Sequence, residues 1–131
     1  MDKPLSTLTK ILLGLWALIT IPGGLLLVFI EPFANTIVWP APLQPIPHIH
    51  AQFNGAIGIG TGVASLLALR QNRWGGAMPV IGLYVAYAIF AEYTAITNIL
   101  AGAVPLQIWF YVALGIFYVV SSFIVWRQQG G

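Results

Sequence analysis

The segment AMPVIGLYVAYAIFAEYTAITNIL, residues 77–100, decides the fold of this chain. It is apolar over a length that, at a helical rise of 1.5 Å per residue, crosses the roughly 30 Å hydrocarbon core of a bilayer. Its one carboxyl group, on Glu92, would lie within the hydrocarbon, where an ionisable group costs about 3 kcal/mol unless it is paired or wetted. The segment therefore predicts a transmembrane helix in which Glu92 has a partner or a function.

Three other segments have the same character, residues 11–30, 51–69 and 106–126. Hydrophobic residues make up 59% of the 131-residue chain and charged residues 6%, which is typical of a membrane protein. We therefore expect one domain, residues 1–131, folded as an all-α integral membrane four-helix bundle with an outer loop at residues 31–50. No part of the chain is left to form a soluble catalytic domain, so any chemistry would take place in or at the bilayer, and a non-enzymatic role is favoured.

The lysines and arginines predict the orientation. They precede the first span, lie between the second and third, and follow the fourth: Lys3, Lys10, Arg70, Arg73 and Arg127. Because such residues are enriched in cytoplasmic loops, we expect both termini in the cytoplasm and the protein in a bacterial-type inner membrane or a plasma membrane. The five cations are spread over three sites and form no stripe that would bind nucleic acid. The chain has no cysteine, which excludes disulfides and thiolate chemistry.

The second span carries a packing signal of small and polar residues. On a helical wheel one third of its circumference holds His50, Asn54, Gly58, Thr61 and Ser65. Small residues four apart allow two membrane helices to approach closely, so we predict helix packing through Gly55, Gly58, Gly62 and Ser65. The fourth span has a similar polar stripe, composed of Gln107, Tyr111, Gly115, Tyr118 and Ser122. We expect the two stripes to face each other inside the bundle.

Helical rise places several of these polar residues at the depth of Glu92. Asn54 and Tyr111 lie about 6 to 8 Å below the outer ends of their spans, and Glu92 lies some 10 Å below the end of its own. The sequence therefore predicts a cluster beneath the outer surface, capped by the loop that carries His48. Its members are Glu92, Asn54, His50, Gln107 and Tyr111.

Three interpretations of this cluster remain open. In the first, Glu92 only exchanges hydrogen bonds with Asn54 and Tyr111 and fixes the helix register, because buried polar groups need partners. In the second, His48, His50 and Glu92 bind a metal ion, or one imidazole is the axial ligand of a tetrapyrrole such as haem or chlorophyll. In the third, Glu92, His50 and Tyr111 hold a quinone or another lipophilic ligand, or line a proton or solute path.

The small size of the bundle indicates further partners. Four helices in 14.2 kDa expose most of their circumference, and a chain without soluble domains is typical of an accessory subunit of a larger complex. We therefore expect contacts with membrane lipid and with other membrane subunits or a second copy, and the aromatic side chains could touch carotenoid or another pigment. The favoured role is a non-catalytic accessory subunit of a respiratory, photosynthetic or other redox assembly. The alternative is a stand-alone binder or carrier of a quinone, haem, pigment or metal at Glu92 and His50.

The layout also resembles a known family. An outer loop follows span one, span two contains NGAIGIGTG at residues 54–62, and the short basic turn RQNRW at residues 70–74 precedes span three. In these features the whole chain resembles the small four-helix membrane proteins grouped around DoxX. The resemblance implies membrane localisation and partnership with a quinone-linked oxidoreductase, and it implies no catalytic residue.

Overall fold

A computed structural model describes residues 3–33, 48–102 and 106–129, without the side chains of residues 106–108. The described residues form five helices and no strand: α1 (Thr7–Phe29), α2 (Glu31–Phe33), α3 (His48–Gln71), α4 (Trp74–Leu100) and α5 (Leu106–Gln129). All except the three-residue α2 are long and apolar enough to cross a membrane. The expectation of an all-helical chain with four long apolar helices is thus confirmed.

The helices extend beyond the predicted spans at several ends. Helix α1 begins at Thr7 rather than at residue 11, and α5 ends at Gln129 rather than at residue 126. Helix α3 begins at His48, so the first three residues of the helix were expected in the outer loop. Helix α4 begins at Trp74 rather than at residue 77. At each of these ends the helix continues past the apolar run that defines a span in the sequence, because the residues that flank such a run can stay helical in the membrane interface.

Local signals explain several helix ends. Ser6 caps α1, its hydroxyl accepting a hydrogen bond from the Thr9 backbone N–H at 3.2 Å. The turn between α3 and α4 contains Asn72 in the left-handed region, with φ 53°, which asparagine tolerates better than most residues. Just beyond α4, Gly102 has φ 92°, a conformation that favours glycine. The turn between α3 and α4 is thus short and polar.

The four long helices form an up-down-up-down bundle of two antiparallel hairpins. Helix α1 packs most extensively against α3, and α4 packs against α5; the contacts of α3 with α4 and of α1 with α5 are fewer. We call the end that holds Lys3, the α3–α4 turn and Gln129 the termini end, and the opposite end, which holds Phe29, His48 and Leu100, the loop end. The half of the bundle next to each is the termini half and the loop half.

Glycines bring α1 and α3 into backbone contact. A β-carbon on Gly24 would lie 2.5 Å from the carbonyl oxygen of Gly55, and one on Gly55 would lie 2.5 Å from the carbonyl oxygen of Gly24. Further along the same seam, a β-carbon on Gly58 would lie 3.2 Å from the Thr20 carbonyl oxygen, and one on Gly62 would collide with the Ile21 side chain. This is the close approach through small residues by which membrane helices associate.

The apolar core lies in the termini half. It is made of Leu5, Leu12, Leu13, Trp16, Ala68, Trp74, Ala77, Ile81, Tyr84, Tyr118 and Val125. Its centre is a group of aromatic rings in tilted contact: the Trp16 ring centroid lies 4.4 Å from that of Tyr84 and 4.8 Å from that of Tyr118. Since Trp16 belongs to the α1–α3 hairpin and both tyrosines belong to α4–α5, these rings join the two hairpins.

A clasp of hydrogen bonds closes the termini end. The buried Gln129 side chain accepts a hydrogen bond from the Thr9 hydroxyl at 2.7 Å and donates one to the Pro4 carbonyl oxygen at 2.8 Å. The Trp74 backbone N–H donates to the Lys3 carbonyl oxygen at 2.8 Å. The N-terminal segment is therefore held both to the last turn of α5 and to the start of α4.

Candidate functional site

The predicted polar stripes are buried only in the termini half. In that half the Tyr84 hydroxyl makes hydrogen bonds with the Ser65 hydroxyl and the Thr61 carbonyl oxygen, and the Tyr118 hydroxyl donates to the Leu12 carbonyl oxygen at 3.1 Å. Ser65 and Tyr118 are fully buried. The α3 stripe thus packs against α4 and the α5 stripe against α1, both in the termini half, so the two stripes do not face each other as expected from the sequence.

The loop half does not bring the predicted cluster together. Asn54 and His50 on α3 are exposed, and Tyr111 on α5 retains 43% of its accessible surface. None of these three makes a hydrogen bond with another described residue, and the side chain of Gln107 lies outside the described part of the chain. The shared depth predicted from helical rise therefore does not amount to a shared site, because the described residues of the cluster make no hydrogen bond with one another.

The two histidines point in different directions. The His48 ring contacts α1, with Nε2 3.2 Å from the Val28 carbonyl oxygen, whereas His50 is exposed. Residues two apart on a helix lie about 200° apart around its axis, so the rings of a His-x-His pair diverge. Within the described ranges, no three His, Cys, Asp or Glu side chains lie close enough to hold a metal ion. The proposed metal set of His48, His50 and Glu92 is therefore not assembled.

Glu92 lies in a shallow groove between α4 and α5. The groove has a volume of about 250 Å³, and its other lining residues are branched and aliphatic: Ile89, Ile116, Val119 and Val120. The carboxyl group lies directly against Gly115 of α5, where any β-carbon would collide with it. Among the residues that the structure describes, Glu92 has neither a hydrogen-bond partner nor an ion-pair partner. The site is a single carboxyl group on an otherwise apolar surface.

The predicted packing residues have defined roles in the structure. Gly55, Gly62 and Ser65 are buried on α3, and Gly58 is half-buried against Thr20 of α1. Gly24, which was not among the predicted residues, is the direct partner of Gly55. The sequence does carry a signal for this contact, since Gly23 and Gly24 follow Pro22 within the first span.

Trp16 is the other important residue that sequence reasoning missed. It contacts Tyr84 and Tyr118, and its ring centroid lies 6.0 Å from that of Tyr87. Its indole N–H is buried without a hydrogen-bond partner in the described structure. Tryptophan is enriched at membrane interfaces, so a tryptophan in the middle of a span was a signal that it packs against protein.

No protein-family model, curated protein or solved structure matches this chain. The resemblance to the proteins grouped around DoxX therefore stays a prediction from layout.

Proposed function

We propose that the chain is a non-catalytic accessory subunit, which packs through its loop half against a larger membrane complex. The observation that supports this is that polar and aromatic side chains along one face of α3 and one face of α5 are buried in the termini half and exposed in the loop half. Over the described ranges, no hydrogen bond or ring contact between the two hairpins lies nearer the loop end than the pair of Trp16 and Tyr87.

Helix α5 gives the clearest comparison. Tyr111 and Tyr118 are seven residues apart, which is about two helical turns, so they lie on the same face. Tyr118 is fully buried, whereas Tyr111 is 43% exposed. The same contrast occurs on α3, where Ser65 is buried and Asn54, about three turns earlier, is exposed. The loop half therefore has an inward face that is exposed in the part of the chain that the structure describes.

Polar groups on that face need partners in a membrane. The Asn54 amide and the Tyr111 hydroxyl lie about 8 to 10 Å from the midpoints of their helices, within the hydrocarbon thickness. An amide or hydroxyl without a hydrogen bond in an apolar medium costs roughly 2 kcal/mol or more, and lipid tails offer no donor or acceptor. A neighbouring membrane subunit can supply such groups, and it would also cover the exposed Tyr87 ring.

The kind of complex and the orientation are part of the proposal. The exposed aromatic rings and the layout shared with DoxX-like proteins favour a redox assembly, respiratory or photosynthetic, in which the subunit would lie near a quinone, tetrapyrrole or carotenoid. All five cations lie at or near the termini end. Their position supports cytoplasmic termini in a bacterial-type inner membrane or a plasma membrane.

The structure offers no support for the alternative, a stand-alone ligand site shared by Glu92 and His50. The two residues lie on α4 and α3, in the half where the hairpins make no described hydrogen bond or ring contact. Glu92 instead faces α5, at Gly115. A quinone, haem, pigment or metal held jointly by both side chains would require the two hairpins to close in the loop half.

Site-specific crosslinking in the native membrane tests the accessory role. A photo-crosslinking amino acid is placed at Tyr111 in the loop half, and at Phe123, 63% exposed in the termini half, as the matched control. We expect position 111 to form an adduct with a larger membrane protein, identified by mass spectrometry after mild-detergent extraction, and position 123 to form little. If position 111 crosslinks only to lipid, and the chain elutes alone in size-exclusion chromatography, the accessory role is wrong.

A further inference from the structure

We propose that the groove at Glu92 binds a small lipophilic ammonium compound, meaning a protonated amine with aliphatic substituents that enters from the membrane. The proposal does not depend on the accessory role, because the groove lies between α4 and α5 and is formed by this chain alone. It depends on three features, which are the unpaired carboxyl group, the aliphatic lining and the absence of a side chain at position 115.

No described residue supplies a counter-charge to the Glu92 carboxyl group. All lysines and arginines lie near the termini end, and Glu92 lies in the other half of α4, eight residues from its C-terminal residue Leu100. In the described structure it forms no ion pair and no hydrogen bond. Because a carboxylate in hydrocarbon is costly until it is paired, a cation that enters the groove gains an electrostatic interaction that water does not screen. A neutral or anionic compound gains no such interaction.

The lining sets the chemistry of the remainder of the ligand. Ile89, Ile116, Val119 and Val120 present only methyl and methylene groups, which favour aliphatic substituents and offer no hydrogen bond to a polar ligand. The groove volume of about 250 Å³ corresponds to roughly eight water-sized volumes of 30 Å³. The groove therefore holds an ammonium group with a short alkyl chain, and any longer chain would extend into the surrounding lipid.

Gly115 leaves the space on α5 that the carboxyl group occupies. The Glu92 side chain lies flat against α5 at this glycine, with its Cγ 3.3 Å from where a β-carbon would be. Alanine at position 115 would displace the carboxyl group from its position beside the aliphatic lining. The site thus combines the Glu92 carboxyl group with a glycine at position 115 that leaves space for it.

A free amine fits better than the headgroup of a phospholipid. The midpoint of α4 lies near Tyr87, so Glu92 lies only about 7 to 8 Å from the middle of the helix and well inside a 30 Å hydrocarbon layer. The ammonium group of a phospholipid is attached to a phosphate, which would have to enter the hydrocarbon with it at a large cost. A lipophilic amine carries no such group.

The test uses the full-length chain in lipid nanodiscs, with n-hexylammonium as the probe and n-hexanol as the uncharged compound of equal chain length. Binding is measured by isothermal titration calorimetry for the natural chain, for Glu92→Gln and for Glu31→Gln. The last variant removes an exposed acid outside the four long helices and is the matched control. We expect saturable binding of n-hexylammonium that falls by about tenfold or more in Glu92→Gln and is unchanged in Glu31→Gln. Binding of n-hexanol should be weak and equal in all three.

A second variant distinguishes a site from a general effect of charge. Gly115→Ala keeps the carboxylate and displaces it, so it should weaken n-hexylammonium binding while far-UV circular dichroism shows an unchanged helix content. Equal binding to the natural chain and to Glu92→Gln overturns the proposal. It is also overturned if the natural chain binds no amine and Glu92→Gln instead loses a co-purifying subunit, because the carboxyl group would then pair with a side chain of that subunit. Loss of the crosslink from position 111 would leave the amine site unaffected.

Discussion

The contact between Gly24 and Gly55 predicts that Gly55→Ala destabilises the bundle. The added β-carbon would lie 2.5 Å from the Gly24 carbonyl oxygen, about 0.9 Å short of the 3.4 Å at which ordinary van der Waals contact begins. The obstacle is backbone and cannot rotate away, so α1 and α3 must separate along their seam. Overpacking of this kind costs about 1 to 3 kcal/mol.

Gly60 on the same helix provides the matched control, since a β-carbon there meets nothing within 4 Å. Gly60→Ala should leave stability unchanged or raise it by up to about 1 kcal/mol, because alanine is the better helix former. The free energy of unfolding is measured by titrating sodium dodecyl sulfate into mild-detergent micelles and following far-UV circular dichroism. We expect Gly55→Ala to be less stable than Gly60→Ala by about 1 to 4 kcal/mol. Equal stability of the two variants would refute the close approach of α1 and α3.

Three further predictions use the same unfolding assay. Tyr84→Phe should lower stability by about 1 kcal/mol, because the Tyr84 hydroxyl makes hydrogen bonds with α3. Tyr93→Phe, at a 69% exposed position, should have no effect, and equal losses in the two variants would contradict the hydrogen bonds to α3. Gln129→Ala should lower stability by about 1 to 3 kcal/mol, because it removes the side-chain hydrogen bonds to Thr9 and Pro4 at the termini end. At the neighbouring exposed position, Gln128→Ala should change stability by less than about 0.5 kcal/mol. Unchanged stability in Gln129→Ala would show that these hydrogen bonds do not stabilise the bundle. Ser122→Ala should be neutral or stabilising, because the buried Ser122 hydroxyl has no hydrogen-bond partner in the described structure, and a loss above about 1 kcal/mol would reveal one.

The sequence was sufficient to predict the helices because their signals are local. A run of about 20 apolar residues predicts a span wherever it occurs, and four such runs correspond to α1, α3, α4 and α5. The small residues of the second span also indicated a packing face, and the structure places Gly55, Gly62 and Ser65 there in buried positions. Neither inference needs to know which helices are neighbours.

The predicted cluster at Glu92 required more than the sequence contains. Helical rise gives the depth of Asn54, Tyr111 and Glu92 along their own helices, and these depths are indeed similar. It does not give the distance between helices, which depends on where the side chains that join them lie. In this chain the large joining residue, Trp16, lies in the termini half with Tyr84 and Tyr118, so equal depth in the loop half did not produce contact.

The two hairpins differ in what holds each together, and this difference bears on both proposals. Helices α1 and α3 are in contact through backbone at Gly24 and Gly55, which leaves no room for a ligand between them. Between α4 and α5, the Glu92 carboxyl group lies against Gly115 and makes no hydrogen bond in the described structure. A bound cation would therefore stabilise the hairpin that lacks such backbone contact, while a partner subunit would contact the exposed polar groups on both hairpins. The amine site thus belongs to α4 and α5, and the proposed subunit contact belongs to the space between the hairpins.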